Sequence, residues 1–492
     1  MTIEKIDGVW AETGDKESTL TDEKKAAGFT GGDKPPIERY NYLLNRLDAK
    51  ADRIIEERIN SFYDDATDHK LMMSTGLWSD SWGIGSDTPN TISCGATKEF
   101  RDTAVFFDAD SNPRLLVIDN ANCTIEVWDP RALTKSITTN ALSDDLVSGG
   151  GETWEPYSMC TDGTSVYVML ADTNAAPDTH IIQAWTIDED AADWDVKTGW
   201  PATGTALTGT GNAVSTNKDG RVIVADADYL ACCCAWNTIG AASDPAIIIV
   251  DITDGTFSGA SSGAGDAPQA GDTTDSAICS DGTNIFFGVE DGLGDIDICS
   301  ATIANPQVGC GGANYPFSVA GMVGHQMVSC GPNMIVSVFE DGCPSDDLDV
   351  VIMTHSSTDA DLDVILRGRD AQATPLDGDF YLMDAPWAVT YDGLYIWIVC
   401  SVVIGSDNSL ALIKVDPSKL LLEDAANDRM LGSVATGPYL LLPDTVGTGG
   451  ATNEDYLSVV SDGRDVWVNV EARASQTHSG KLIRLPLSLE RF

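Results

Sequence analysis

From about residue 100 onward the chain repeats one pattern of polar and apolar positions: a short strand, a tight turn, then a strand with alternating apolar and aromatic residues. SMCTDGTSVYVML turns at Asp162-Gly163, AVSTNKDGRVIVA at Asp219-Gly220, AICSDGTNIFFGV at Asp281-Gly282 and MVSCGPNMIVSVF at Cys330-Gly331. AVTYDGLYIWIVC turns at Asp392-Gly393, SVVSDGRDVWVNV at Asp462-Gly463, and a degenerate first copy, TAVFFDADSNPRLLVID, at Asp110-Ser111-Asn112. Asp-Gly meets the positive φ that two-residue hairpin turns demand, so each copy predicts a hairpin. A third strand follows in most copies, as CTIEVWDP, HIIQAWTID, AIIIVDIT, DIDICSATI, DLDVVIMTH, LALIKVDP and KLIRLPL.

Successive turns lie about 50 to 70 residues apart, too far for a short-repeat solenoid and suited to one blade of a β-propeller. The predicted fold is therefore mostly β, a seven-bladed β-propeller over 100–492, with six or eight blades also compatible with the count. The chain ends at Phe492, before an outermost fourth strand can follow KLIRLPL. A strand from the connector 63–99, within Leu71 to Ser93, is expected to complete that last blade and hide its edge.

Ahead of the repeats the period changes. Pro35 and Pro36 suit a helix start, and Ile37, Tyr40, Leu44, Leu47, Ala51 and Ile54 then alternate three and four apart, the spacing of a coiled-coil seam. The prediction is an extended arm over 1–35 and an oligomerisation helix over 36–62.

The run GFTGGDKPPIERYNYLLNRLD, with Val9-Trp10-Ala11 upstream, resembles the N-terminal segment of tailed-bacteriophage tail fibres and related virion appendages. The resemblance covers about the first 60 residues. It implies that Pro35, Pro36, Ile37, Tyr40, Asn41, Leu44, Asn45, Leu47, Ala51 and Ile54 carry oligomerisation and docking to the particle. Three copies, and other tail or collar proteins as partners, are what it implies further.

Composition narrows the partners. The 492 residues are 43% hydrophobic, enough for a large core, and carry 29 Lys plus Arg against 76 Asp plus Glu, a formal charge of −47. Phosphate backbones and anionic membrane surfaces would be repelled, so neither nucleic acid nor membrane is expected as a partner. No apolar h-region opens the chain and no 18-residue apolar run crosses it, so neither a signal peptide nor a membrane span is expected. The expectation is synthesis in a host cytoplasm and residence in the tail region of a virion. The twelve cysteines form no paired C-x-x-C knuckles and read as free, mostly buried thiols. Cys299 with Cys310, or Cys330 with Cys343, are the disulfides that spacing leaves open.

Catalytic patterns are sparse. His69, His180, His325, His355 and His478 show no metal-binding spacing, and neither a G-x-S-x-G elbow nor a phosphate-binding loop occurs. No enzyme activity and no cofactor are expected. Calcium remains a candidate at two acidic loops, Asp291, Asp295 and Asp297 in one, and Asp341, Asp346, Asp347 and Asp349 in the other. Asp359, Asp361 and Asp363 alternate as a strand would. Trp128, Trp185, Trp397 and Trp467 occupy strand positions and read as packing, whereas Trp78, Trp82, Trp194 and Trp200 fall between strands, where a ring could stack on a sugar. The function expected is a structural virion protein whose propeller contacts neighbours or a host-surface glycan or receptor. A glycan-degrading appendage and a non-viral interaction propeller are the alternatives.

Overall fold

The computed structural model describes residues 63–65, 70–72, 91–95, 100–130, 132, 134–146, 152–172, 174, 179–207, 221–233, 245–262, 277–290, 296–303, 323–331, 334–341, 347–355, 362–370, 381–404, 407–415, 439–441, 457–463, 465–470 and 480–486. Among them there is no α-helix, only strands and two short 3-10 turns. The predicted arm and helix, 1–35 and 36–62, lie outside the described residues. By internal contacts the chain divides into two units, Met1–Ser79 with Ser488–Phe492, and Asp80–Leu487. The first contains an antiparallel ribbon of β1 (Tyr63–Asp65) and β2 (Lys70–Met72).

The second unit begins with β3 (Thr91–Gly95), followed by successive antiparallel sheets. The first sheet is β4 (Phe100–Phe107), β5 (Pro113–Asp119), β6 (Thr124–Asp129) and β7 (Thr134–Thr138). The second is β8 (Trp154–Thr161), β9 (Ser165–Asp172), β10 (Thr179–Thr186) and β11 (Thr205–Ala206); the third is β12 (Arg221–Val224), β13 (Tyr229–Cys233), β14 (Pro245–Asp251) and β15 (Phe257–Ser262). A three-stranded fourth sheet holds β16 (Ile278–Ser280), β17 (Asn284–Glu290) and β18 (Ile296–Thr302). The fifth is β19 (Val323–Ser329), β20 (Met334–Asp341), β21 (Asp347–His355) and β22 (Leu362–Asp370). The sixth is β23 (Tyr381–Tyr391), β24 (Ile396–Ile404), β25 (Asp407–Val415) and β26 (Tyr439–Leu441). The last joins β27 (Leu457–Ser461), β28 (Asp465–Val470) and β29 (Gly480–Pro486) to β3.

Each sheet is a meander whose first strand lies beside the first strand of the next: β4, β8, β12, β16, β19, β23 and β27 follow one another, and β27 returns to β4. That closed succession is a β-propeller. β3 pairs with β29 through Lys481 opposite Ser93 and Leu482 opposite Ile92, so the first and last strands of this unit share one sheet and the outer edge of β29 is covered.

The core sits between sheets. One cluster joins Tyr157, Tyr167 and Met169 of the second sheet to Ile247, Ile249, Ile285 and Phe287 of the third and fourth. Another packs Phe100, Leu115 and Trp128 of the first sheet against Trp467 and Leu482 of the last. Second strands are covered on both faces, and all eight residues of β9 are buried. A strand sandwiched by two neighbouring sheets has no solvent face, which is why apolar and aromatic residues fill both faces of β9.

The turns differ from the two-residue Asp-Gly type expected. Gly163, Gly282, Gly331, Gly393 and Gly463 do take positive φ, but the residues before them, Asp162, Asp281, Cys330, Asp392 and Asp462, do not. Each Asp stands at the first corner and caps the turn: Asp162 Oδ1 accepts the N–H groups of Thr164 at 2.8 Å and Ser165 at 2.7 Å, and Asp281 Oδ1 those of Thr283 at 2.9 Å and Asn284 at 2.8 Å. In the third sheet the turn is elsewhere. Asp219-Gly220 lies outside the described residues and before β12, so RVIVA is a first strand, and Asp226 is the capping acid, accepting from Asp228 and Tyr229.

Candidate functional site

Among the described residues, the first strands of the successive sheets surround a space. It is a cavity of 450 Å³ lined by residues from β4, β8, β12, β16, β19, β23 and β27, mostly aliphatic side chains with a few hydroxyls and thiols. Among the described residues two charged ones line it, Asp102 on β4 and Arg221 on β12.

Asp102 is placed by an irregularity. The pairing of β4 with β5 slips between Phe100 and Thr103, which leaves Asp102 out of the ladder and free to reach the neighbouring sheet. Its Oδ2 accepts the backbone N–H of Met159 at 2.8 Å and the Ser158 hydroxyl at 3.2 Å, and its Oδ1 accepts the N–H of Thr103 at 2.8 Å. Burial pushes this carboxyl above the ordinary value of 3.8, against the opposing pull of the Arg221 charge and of these hydrogen bonds.

The same device continues around the ring. Ser158 accepts the N–H of Val222 at 3.2 Å, Ser280 donates to the carbonyl of Ala225 at 2.7 Å, and the hydroxyls of Thr103 and Ser458 bond each other. Inner-edge backbone groups, which lack a strand partner, are thus satisfied from the adjacent sheet. Arg221 differs: its guanidinium donates no hydrogen bond to a described residue, and its described electrostatic partner is Asp102.

Thiols stand toward the turn end of the same strands. Cys160 and Cys279 line the cavity, and burial pushes both well above the usual thiol value; Cys330 is pushed up to about 12 by burial. Cys123, Cys160, Cys279 and Cys330 are free thiols. The Cys330 to Cys343 disulfide is therefore corrected to a free Cys330, while Cys310 and Cys343 lie outside the described residues.

Next to the cavity wall, the second sheet's turn carries a polar chain. Tyr167 donates its hydroxyl to Asp162 Oδ2 at 2.6 Å, and Lys197 Nζ donates to the Tyr167 oxygen at 2.5 Å while standing 3.5 Å from Asp162. Burial works to raise the Asp162 carboxyl, but the hydrogen bonds from Tyr167, Thr164 and Ser165 outweigh it and hold it at about 2. The pair recurs at the sixth sheet, where Trp397 Nε1 donates to Asp392 Oδ2 at 2.9 Å.

The expected binding residues Pro35, Pro36, Ile37, Tyr40, Asn41, Leu44, Asn45, Leu47, Ala51 and Ile54 lie outside the described residues, as do Trp78 and Trp82. Trp194 and Trp200 are corrected: both are buried, their indole N–H groups donating to the carbonyls of Asp188 at 2.7 Å and Ile252 at 2.8 Å, so neither face is open to a sugar. Trp128, Trp185, Trp397 and Trp467 are buried in the strands. Of the acidic-loop residues, Asp291, Asp295 and Asp346 lie outside the described residues, whereas Asp297, Asp341, Asp347 and Asp349 are strand residues, with Asp341 opposite Asp347. Among the described residues no group of three or more His, Cys, Asp or Glu is placed to hold a metal ion. His180 is buried in β10, bonded through Nδ1 to the Tyr157 hydroxyl at 2.8 Å. Asp102 and Arg221 were not singled out by motif; the available signal was a charged residue near the start of a first strand that continues apolar, as in FRDTAVFF and RVIV.

No protein-family model matches the chain, and no curated protein matches it. Among solved structures it is similar to Kuenenia stuttgartiensis hydrazine synthase, at 13% identity over 82% of this chain and 98% of that one, with a TM-score of 0.45. It is also similar to a putative oxidoreductase (glucose dehydrogenase) from Thermus thermophilus, at 13% identity over 63% and 93% of the two chains and a TM-score of 0.37. A third is the PQQ-bound aldose sugar dehydrogenase from Streptomyces coelicolor, at 10% identity over 80% and 97% and a TM-score of 0.36. At such identities no residue role or reaction passes to this chain. These likenesses do correct one expectation: the structures it is similar to include enzymes, so the exclusion of enzymatic activity from sparse motifs does not stand.

Proposed function

We propose that this chain is an oligomeric appendage of a tailed-bacteriophage particle, a tail fibre or tail-associated protein. In this reading the first 60 or so residues dock it to tail or collar proteins, and three copies associate through the seam from Ile37 to Ile54. The observation that carries the proposal is the segment from Gly28 to Asp48, with its paired prolines and its YNYLLNRLD run. The ring is read as seven blades, which the seven sheets and the closed succession of their first strands support.

A closed ring with apolar cores between neighbouring sheets is stiff, and stiffness suits a module that must present a surface at a fixed place on a particle. The surface would contact a neighbouring virion protein or a host-surface glycan or receptor. The charge of −47 makes long polyanions poor partners at low salt and keeps such an appendage soluble.

Immunogold electron microscopy of intact particles tests this reading, together with light scattering on the purified chain with and without residues 1–60. Labelled tails, a trimeric full-length chain and a monomeric truncation are expected. A monomeric full-length chain whose truncation is still incorporated into particles would overturn the proposal.

A further inference from the structure

We propose that the central channel is a binding site for a small organic carboxylate with an apolar body, anchored by Arg221.

The wall supplies the first argument. Val105, Ile223, Val224, Val328, Val389 and Val460 all line the cavity and remain only partly buried, so their methyl groups still meet solvent inside the ring. Filling the space with apolar matter removes that contact, and 450 Å³ falls within the roughly 300–1,000 Å³ of small-molecule sites.

The charges supply the second. Asp102 is already engaged, with Met159, Thr103 and Ser158 donating to its two oxygens. Arg221 has no such commitments among the described residues, and its planar fork of N–H groups matches the two oxygens of a carboxylate. Asp102 and Arg221 together are close to neutral, so a monoanion enters with one attractive centre, whereas a phosphate would bring a second negative charge against Asp102. A chain bearing −47 overall also keeps extended polyanions away from the channel mouths. The ligand so defined is monoanionic, compact and apolar behind its carboxylate.

The test is calorimetric titration of the full chain with benzoate. Benzamide serves as the uncharged shape match, acetate as the charge without the body, and inorganic phosphate as the competing anion. Benzoate is expected to bind with a Kd of about 1 mM or tighter, and each of the other three at least about tenfold more weakly. Arg221→Gln is expected to abolish benzoate binding, and Arg221→Lys, which keeps the charge and loses the fork, to weaken it. Equal binding of benzamide, tighter binding of phosphate, no benzoate binding at about 20 mM, or unchanged binding by folded Arg221→Gln would each overturn the proposal. Should Arg221→Gln fail to fold, the benzoate and benzamide comparison on the unaltered chain decides. None of these outcomes depends on whether the chain resides on a virion.

Discussion

Asp102 on the first sheet accepts the backbone N–H of Met159 on the second at 2.8 Å, a bond between two strands that share no ladder. Removing the carboxylate leaves that N–H, the N–H of Thr103 and the Ser158 hydroxyl without their acceptor. Asp102→Ala is expected to cost about 2–3 kcal/mol in urea unfolding, and Asp102→Asn, which keeps one oxygen, about half of that. Because burial raises this carboxyl above 3.8, the folded chain holds the proton more tightly than the unfolded one. The stability of the wild type relative to Asp102→Asn should therefore fall as pH rises from 3.8 through the folded value.

Asp162 has the opposite sign. With its carboxyl held at about 2 against an ordinary 3.8, its contribution is fully present above pH 4 or so and is lost as pH falls through about 2. Unfolding of wild type and Asp162→Asn, followed from pH 6 to pH 2, should show a gap that narrows over the lower end of that range. A constant gap would assign the effect to shape alone.

Two glycines with positive φ should respond differently to alanine. At Gly163, φ +91, a Cβ meets nothing within 4 Å, so only backbone strain is added, about 1–2 kcal/mol. At Gly255, φ +68, a Cβ would stand 2.8 Å from the Trp200 ring and 3.0 Å from Thr205 Oγ1. Gly255→Ala should lower the midpoint of thermal unfolding by clearly more than Gly163→Ala, since it adds overpacking of about 1–3 kcal/mol to the same strain.

Three thiols near the cavity, Cys160, Cys279 and Cys330, should be inert in the folded chain. With Cys160 and Cys279 pushed well above the usual value and Cys330 at about 12, little thiolate exists at pH 8. Iodoacetamide labelling read by peptide mass spectrometry should leave these three unmodified until denaturant is added.

Ring closure depends on β3. A truncation beginning at residue 90 keeps Thr91–Gly95 beside β29, whereas one beginning at residue 97 removes it and bares the edge of the last sheet. The second should unfold at lower temperature and associate in light scattering, while the first should match the full ring.

Much of the architecture was legible before any coordinates. Turn glycines, apolar second strands and third strands recur with a period that only a blade-sized unit satisfies, because hairpin turns and strand propensity are local properties. The error at AVSTNKDGRVIVA shows the limit: an Asp-Gly pair promises a turn but not which strands it joins, and Asp226, whose carboxylate does the capping, lacks a following glycine. A better local signal was present in the aromatic residue five places after the turn acid, at Tyr167, Phe286, Trp397 and Trp467. Two of these, Tyr167 and Trp397, bond back to the acid.

The amino-acid order alone determined a repeating, mostly β chain, most of the turns of its repeats and its acidic character, since each follows from residues that are neighbours or from a simple sum of charge. The tertiary structure alone decided that β3 covers β29, that Trp194 and Trp200 are packed away, and that Asp102 and Arg221 face one channel across sheets separated by more than 100 residues. Those relations arise only when the ring closes, because closure brings residues together by position around an axis rather than by distance along the chain.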